Sequence, residues 1–179
     1  MIDIFSVLGH RLAAFGKTPD TVEVVRRAAV ENPWFLPQEI IRAVKAIRCE
    51  MLERQRLEAW AGAYPPVRTP KRVLVVMAGN IPLVGFFDLL CVLASGHACR
   101  VKPSSKDTVL IGYVVDLLRT IEPAIPLRMA EQGERLDAVI ATGSDNANRY
   151  FRMLFGGIPS LLRGSRQSVA VLSGRETAA

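Results

Sequence analysis

The chain has 179 residues, half of them apolar and 22% charged, which argues against disorder and allows one domain with a sizeable core, and its mean hydropathy of +0.22 points to strands buried on both faces or to a surface that another domain or subunit covers. Its formal charge of +6 comes from 23 basic and 17 acidic residues that interleave, as in RAVKAIRCEMLERQRLE, with no alternating aromatics, so a nucleic acid partner is not expected. Three cysteines without a C-x-x-C pair and two distant histidines give neither a disulfide framework nor a metal cluster; with Asp3 where a secretory leader would be basic, a cytoplasmic location is expected.

Up to about Ala63 the chain reads as helical. Apolar residues of IDIFSVLGHRLAAF recur at helical spacing, and Thr18-Pro19-Asp20 supplies a cap, a first-turn proline and a first-turn acid for a second helix. Asn32-Pro33-Trp34-Phe35 ends that helix, and a longer third one starts near Pro37 with Ile40, Val44, Ile47 and Met51 along one face. YPPVRTP closes the region, and a helical unit over 1–65 is expected to pack on a second unit over 66–179.

From Lys71 onward the rhythm changes. RVLVVMAG, ACRVKP, LDAVIATG and SVAVLSG are short apolar runs with helical stretches between the first three, which predicts an α/β fold: a parallel sheet with right-handed crossovers and helices on both faces. The helix expected from Ile81 to about Ala94 is apolar on nearly all sides, with Asp88 its one charge and a structural hydrogen-bonding role expected for it. The apolar stretch from Val73 to Ser95 is interrupted by Gly79, Asn80, Pro82 and Asp88, whereas a membrane-spanning helix needs about 20 predominantly apolar residues, so no span is expected.

In an open parallel sheet, ligands bind beyond the carboxyl ends of the strands. Three such ends stand out: Met77-Ala78-Gly79-Asn80-Ile81-Pro82, Lys102-Pro103-Ser104-Ser105, and Thr142-Gly143-Ser144-Asp145. Asn80 has the residue type of a helix N-cap, and Gly143-Ser144 that of a turn and cap whose free N–H groups also suit an anion, although Asp145 would oppose a phosphate. Lys102, ending a buried strand, must reach solvent or an anionic or hydroxyl partner. Ser104-Ser105 can equally be a turn and cap for the helix that follows.

Taken in order, these three ends resemble the aldehyde dehydrogenase superfamily, which binds its nicotinamide cofactor through a strand-end asparagine, a K-P-S/A segment and a T-G-S turn rather than through G-x-G-x-x-G. AGNIPLVGFFDLLCVLASGH, KPSSKD, DAVIATGSDNANRYF, RQSVAVLSG and ENPWF are most similar to the acyl-CoA reductases related to the long-chain fatty acyl-CoA reductase of bacterial bioluminescence. The resemblance implies a Rossmann-like NAD(P)-binding domain over 66–179. In it Lys102 binds the adenosine ribose hydroxyls, Gly143 and Ser144 receive the pyrophosphate, and Met77, Ala78 and Gly79 form backbone wall. Where NAD-preferring relatives often carry a glutamate, this chain has Ser105 followed by Lys106, with Ser104 beside them, so NADP(H) is favoured over NAD(H). Asn80 is implied to be half of an oxyanion hole.

The implied reaction of the parent protein is reductive. A cysteine thiolate attacks an acyl-CoA thioester, CoA leaves, and hydride from NADPH reduces the enzyme-bound acyl group to an aldehyde. Leu162 stands where aldehyde-oxidising members carry a general-base glutamate, which suits acyl exchange with CoA better than oxidation to the acid. Cys49, Cys91 and Cys99 do not match the nucleophile, so the chain is expected to be the cofactor-binding part without its catalytic cysteine domain. Alone it is expected to bind nucleotide weakly or not at all, to be inactive, and to self-associate through a face left open. Two other readings stay open: an acyl-phosphate reductase of the same superfamily, and a non-catalytic module in which Lys102, Ser105 and Arg166 hold an anionic partner.

Overall fold

The computed structural model describes residues 1–167 together with 169, 171 and 174. Four helices come first: α1 (Ile2–Arg11), α2 (Pro19–Glu31), α3 (Pro37–Met51) and α4 (Arg54–Gly62), with a single 3-10 turn over Leu12–Ala14. The predicted third helix is therefore two, because the chain breaks at Leu52-Glu53. Thr18 caps α2 as its sequence suggests, its N–H donating to Thr21 Oγ1 at 3.2 Å. Ile40, Val44 and Ile47 are buried along one stripe of α3.

The second part alternates strand and helix: β1 (Arg72–Val76), α5 (Phe86–Ala94), β2 (Ala98–Lys102), α6 (Thr108–Ile121), β3 (Leu127–Met129), β4 (Ala138–Thr142), α7 (Asp145–Phe155) and β5 (Ser160–Arg163). The strands form one sheet in the order β3-β2-β1-β4-β5, every pairing parallel. Two of these strands, β3 and β5, are not among the predicted runs. The predicted run SVAVLSG lies, apart from Val169, Val171 and Gly174, outside the described residues.

Strand alternation splits the core in two. Val73, Val75, Cys99 and Val101 face α5 and α6, where Leu89, Leu93, Ile111 and Leu118 complete the larger cluster. Leu74, Val76, Val139 and Ala141 face the other way, against Phe151 and Phe155 of α7. The N-terminal helices join the larger cluster: Phe5 of α1 meets Phe86 of α5 edge-on at 6.5 Å between ring centroids, and Phe15 meets Tyr113 of α6 at 5.5 Å. Helices thus cover both faces of the sheet. The second face is thinly covered, and Tyr150, Met153 and Leu154 of α7 are exposed.

The largest departure from the sequence reading lies between β1 and α5. The helix begins at Phe86 rather than Ile81, so Asn80 does not cap it. Residues 81–85 form tight turns closed by Val84 N–H to the Ile81 carbonyl (3.2 Å) and Phe86 N–H to the Leu83 carbonyl (2.9 Å). Leu83 sits in the left-handed region at φ 57°, a conformation a leucine holds only when its surroundings over-determine it. Those surroundings are a buried side chain and an N–H that donates to Asp107 Oδ2 at 2.8 Å. The turn ends at Gly85, where a Cβ would fall 2.2 Å from Cγ of Met77, so only glycine lets α5 close on the end of β1.

Candidate functional site

Neighbouring strands β1 and β4 send their crossover helices to opposite faces, α5 to one and α7 to the other. Between two such strands the loops part at their carboxyl ends and leave a crevice, the place where open α/β sheets hold ligands. A cleft opens there. Its walls include Ala78, Gly79 and Asn80 beyond β1, Ser104 beyond β2, and Thr142 at the end of β4 with Gly143 and Ser144 beyond it. Seven of the residues singled out in the sequence are thereby brought together. Trp34, Lys106, Arg163 and Arg166 also line the cleft.

Three of the singled-out residues do not line it. Met77 is buried under Gly85, its N–H donating to the Lys102 carbonyl at 3.0 Å. Lys102 ends β2 with an exposed side chain, the solvent-reaching outcome its position allows, and Ser105 is exposed on the following turn. Ser104 is spent locally: its Oγ accepts from the Lys106 N–H at 3.2 Å. Asn80 is exposed, and its side-chain amide has no hydrogen-bond partner among the described residues, so it is available to a ligand.

The wall at β1 is built from a distance. Asn32, just past α2 and 3% exposed, donates from Nδ2 to the Gly79 carbonyl at 3.0 Å and accepts the Trp34 N–H on Oδ1 at 3.1 Å. Gly79 is needed because a Cβ there would lie 2.5 Å from Ser104 Oγ. Nor does α6 start on a serine cap: Asp107 is its first flanking residue, and the helix end is satisfied from outside by Glu31 of α2. That carboxylate accepts the Thr108 hydroxyl and the N–H groups of Thr108 (2.9 Å) and Val109 (3.2 Å). With Glu31 at the helix end, Asp107 is free to hold the Leu83 N–H instead, while its Oδ1 stays buried without a partner. Burial is the chief reason its carboxyl is pushed up to about 7, opposed by the Leu83 hydrogen bond and reinforced by Glu31.

At β4 the Gly143 N–H donates to the Arg163 carbonyl at 3.1 Å and so belongs to the sheet rather than to a ligand. Ser144 caps α7, its Oγ accepting the Ala147 N–H at 3.2 Å, which leaves the N–H groups of Ser144, Asp145 and Asn146 unpaired among the described residues. Asp145 is less of an obstacle to an anion than its charge suggests, because Oδ1 accepts the Ser165 N–H at 3.0 Å and ties down the segment after β5.

The strand before that segment carries the cation missed in the sequence. Arg163 ends β5 and donates from Nη1 to both carboxylate oxygens of Asp88, at 2.7 and 2.6 Å. Asp88 is thus the satisfied structural group expected of it. Leu162, on the opposite face of the strand, packs with the α7 cluster. The three cysteines are free; burial pushes the Cys91 thiol up to about 11 and the Cys99 thiol up to about 12, which suits packing rather than nucleophilic roles. No group of His, Cys, Asp or Glu among the described residues is arranged to hold a metal ion, and no helix among them is long and apolar enough to cross a membrane.

No family model matches the chain, and no curated protein matches it. Among solved structures it is similar to a betaine aldehyde dehydrogenase of Staphylococcus aureus, a double mutant in complex with NAD+, with a TM-score of 0.63 and 12% identity. The similarity covers 90% of this chain but 37% of that one. At that identity the likeness establishes the fold: the chain has the α/β, Rossmann-like architecture found in an aldehyde dehydrogenase.

Proposed function

We propose that the chain is the nicotinamide dinucleotide-binding part of an oxidoreductase, and that the parent protein is an NADPH-dependent acyl-CoA reductase forming an aldehyde. The observation that carries this reading is the cleft at the β1/β4 crevice, where Asn80 with an unengaged amide stands in the same wall system as the Thr142-Gly143-Ser144 turn. The residues suit a dinucleotide. Lys106 and Arg166 supply positive charge, the first turn of α7 supplies free N–H groups for a pyrophosphate, and exposed Lys102 with Ser104 and Ser105 beside it supplies donors for an adenosine ribose. When bound, a reduced nicotinamide cofactor would contribute the hydride. Asn80 would stabilise oxygen charge developing on the acyl carbon, a role typically worth about 2.7 to 4 kcal/mol for one donor. The 66–179 unit would carry this work, and the helices of 1–65 would hold its β1 loop.

Nucleotide titration of the chain, followed by protein NMR up to millimolar nucleotide, tests the reading. Weak but saturable NADPH binding is expected, weakened about tenfold or more by Lys102→Ala, since hydrogen bonds to a charged group are worth about 1.5–3 kcal/mol. Ser105→Glu is expected to weaken NADPH more than NADH, because a carboxylate repels a 2'-phosphate and accepts from a 2'-hydroxyl. Unchanged binding in Lys102→Ala would favour an anion-binding module without a cofactor, and equal losses for both nucleotides in Ser105→Glu would remove the NADPH preference.

A further inference from the structure

Trp34 is 71% exposed, yet the chain around it is fixed. Asn32 and Phe35 on either side are 3% and 2% exposed, the Phe35 N–H donates to the Asn32 carbonyl at 2.9 Å, and the Asn32 side chain holds both the Trp34 N–H and the Gly79 carbonyl. A large indole is therefore carried on a rigid support at the rim of the cleft, outside the core that its neighbours enter. Its ring is not idle. Lys106 Nζ lies 4.9 Å from the ring centroid, over the indole, and the Lys106 backbone is positioned by Ser104 Oγ. The glycine at 79 is what allows this approach, since a Cβ there would also lie 3.0 Å from Lys106 Cβ.

Ser144 and Arg166 line the same cleft from the loops beyond β4 and β5, on the other side of β1 from the β2 loop that carries Lys106. One wall thus offers an exposed indole with an ammonium over one face of its ring, leaving the other face for a planar ligand, and the other offers N–H groups and a guanidinium. That pairing matches a planar heteroaromatic ring joined through a ribose to phosphate, because the ring gains by stacking on an indole while the phosphate gains from the cations. We infer that Trp34 is a binding residue on which a planar base of the nucleotide stacks, and that Lys106 contacts the phosphate attached to the same ribose. This rests on the nucleotide-binding reading above and adds to it Trp34, from the chain before β1, and a specific contact for Lys106, after β2. Either half of a dinucleotide has this chemistry, and fragments tell them apart.

The chain has two tryptophans, Trp34 and Trp60, so Trp60→Phe leaves Trp34 as the reporter. In that variant, NADPH is expected to quench Trp34 emission saturably, with the same midpoint as binding followed by NMR. Quenching by 2'-phospho-ADP-ribose but not by nicotinamide mononucleotide supports adenine on Trp34, and the reverse supports nicotinamide there. Trp34→Ala is expected to weaken NADPH about tenfold, Trp34→Tyr to recover most of that affinity, and Lys106→Gln to weaken NADPH while leaving adenosine binding unchanged. If NADPH binds with Trp34 emission unchanged and equal affinity in Trp34→Ala, the stacking role is wrong while nucleotide binding stands. If no nucleotide binds the unsubstituted chain, both fall.

Discussion

Replacing Arg163 with leucine is expected to lower the melting temperature of the chain by about 8 °C. The substitution leaves Asp88, with a side chain 9% exposed, inside the apolar α5 and without its partner, and breaking a buried pair from one side costs roughly 3–5 kcal/mol. Arg163 is 28% exposed on its side of the pair, so the low end of that range, about 3 kcal/mol, applies. For a chain of this size each kcal/mol moves the midpoint by about 2–4 °C. The reverse substitution, Asp88→Leu, is expected to cost less, because the freed guanidinium reaches water through the cleft. The double variant with leucine at both positions is expected to recover most of the loss. Thermal unfolding followed by circular dichroism compares the three; equal losses in both single variants, or no recovery in the double, would show that the pair does not set the closure of α5 on β5.

Asp107 provides the second large effect, and it has a sign that most carboxylates lack. Its folded value of about 7 lies above the ordinary 3.8, so between those pH values the native chain keeps a proton that the unfolded chain has released. The native state then binds more protons, and stability from this group falls as pH rises through that window, being fully present below about pH 4 and lost above about pH 7. The ceiling is roughly 4 kcal/mol, from the 1.36 kcal/mol that each pKa unit represents. Asp107→Asn keeps an acceptor for the Leu83 N–H and removes the titration, so urea unfolding of the variant at pH 4 and at pH 7 should show a smaller drop than the unsubstituted chain. Identical drops would show that water or Glu31 relaxes around the carboxylate and cancels its burial. The groups facing it are the Leu83 N–H on the β1–α5 turn and Glu31 on α2.

The frame of the fold is legible in the sequence because it rests on local signals. Apolar runs such as RVLVV and the Thr18-Pro19-Asp20 cap need no distant partner to be recognised. The strands β3 and β5 escape because LRM and SLLR are too short, and too mixed in polarity, to separate from loop; only pairing with β2 and β4 makes them strands. The start of α5 is misread for a related reason. Asn80 followed by Pro82 has the chemistry of a cap, but the buried Asp107 acceptor holds Leu83 left-handed and delays the helix to Phe86. In the cleft, the residues next to recognisable strand ends are foreseen. Trp34 and Arg163 are not, since one comes from a helix break far upstream and the other from an unrecognised strand.

The long-range bonds that Asn32 and Glu31 make have a kinetic consequence. Asn32 reaches Gly79 across 47 positions, and Glu31 reaches Thr108 and Val109 across 77 and 78, so neither contact forms until a long loop has closed. The β1 loop and the first turn of α6 therefore gain their final shape only when α2 docks. A chain beginning near residue 66 would carry an unpaired Gly79 carbonyl and an uncapped α6, and the cleft walls would fluctuate on the timescale of local opening rather than of global unfolding. The N-terminal helices belong to the folding unit that builds the cleft.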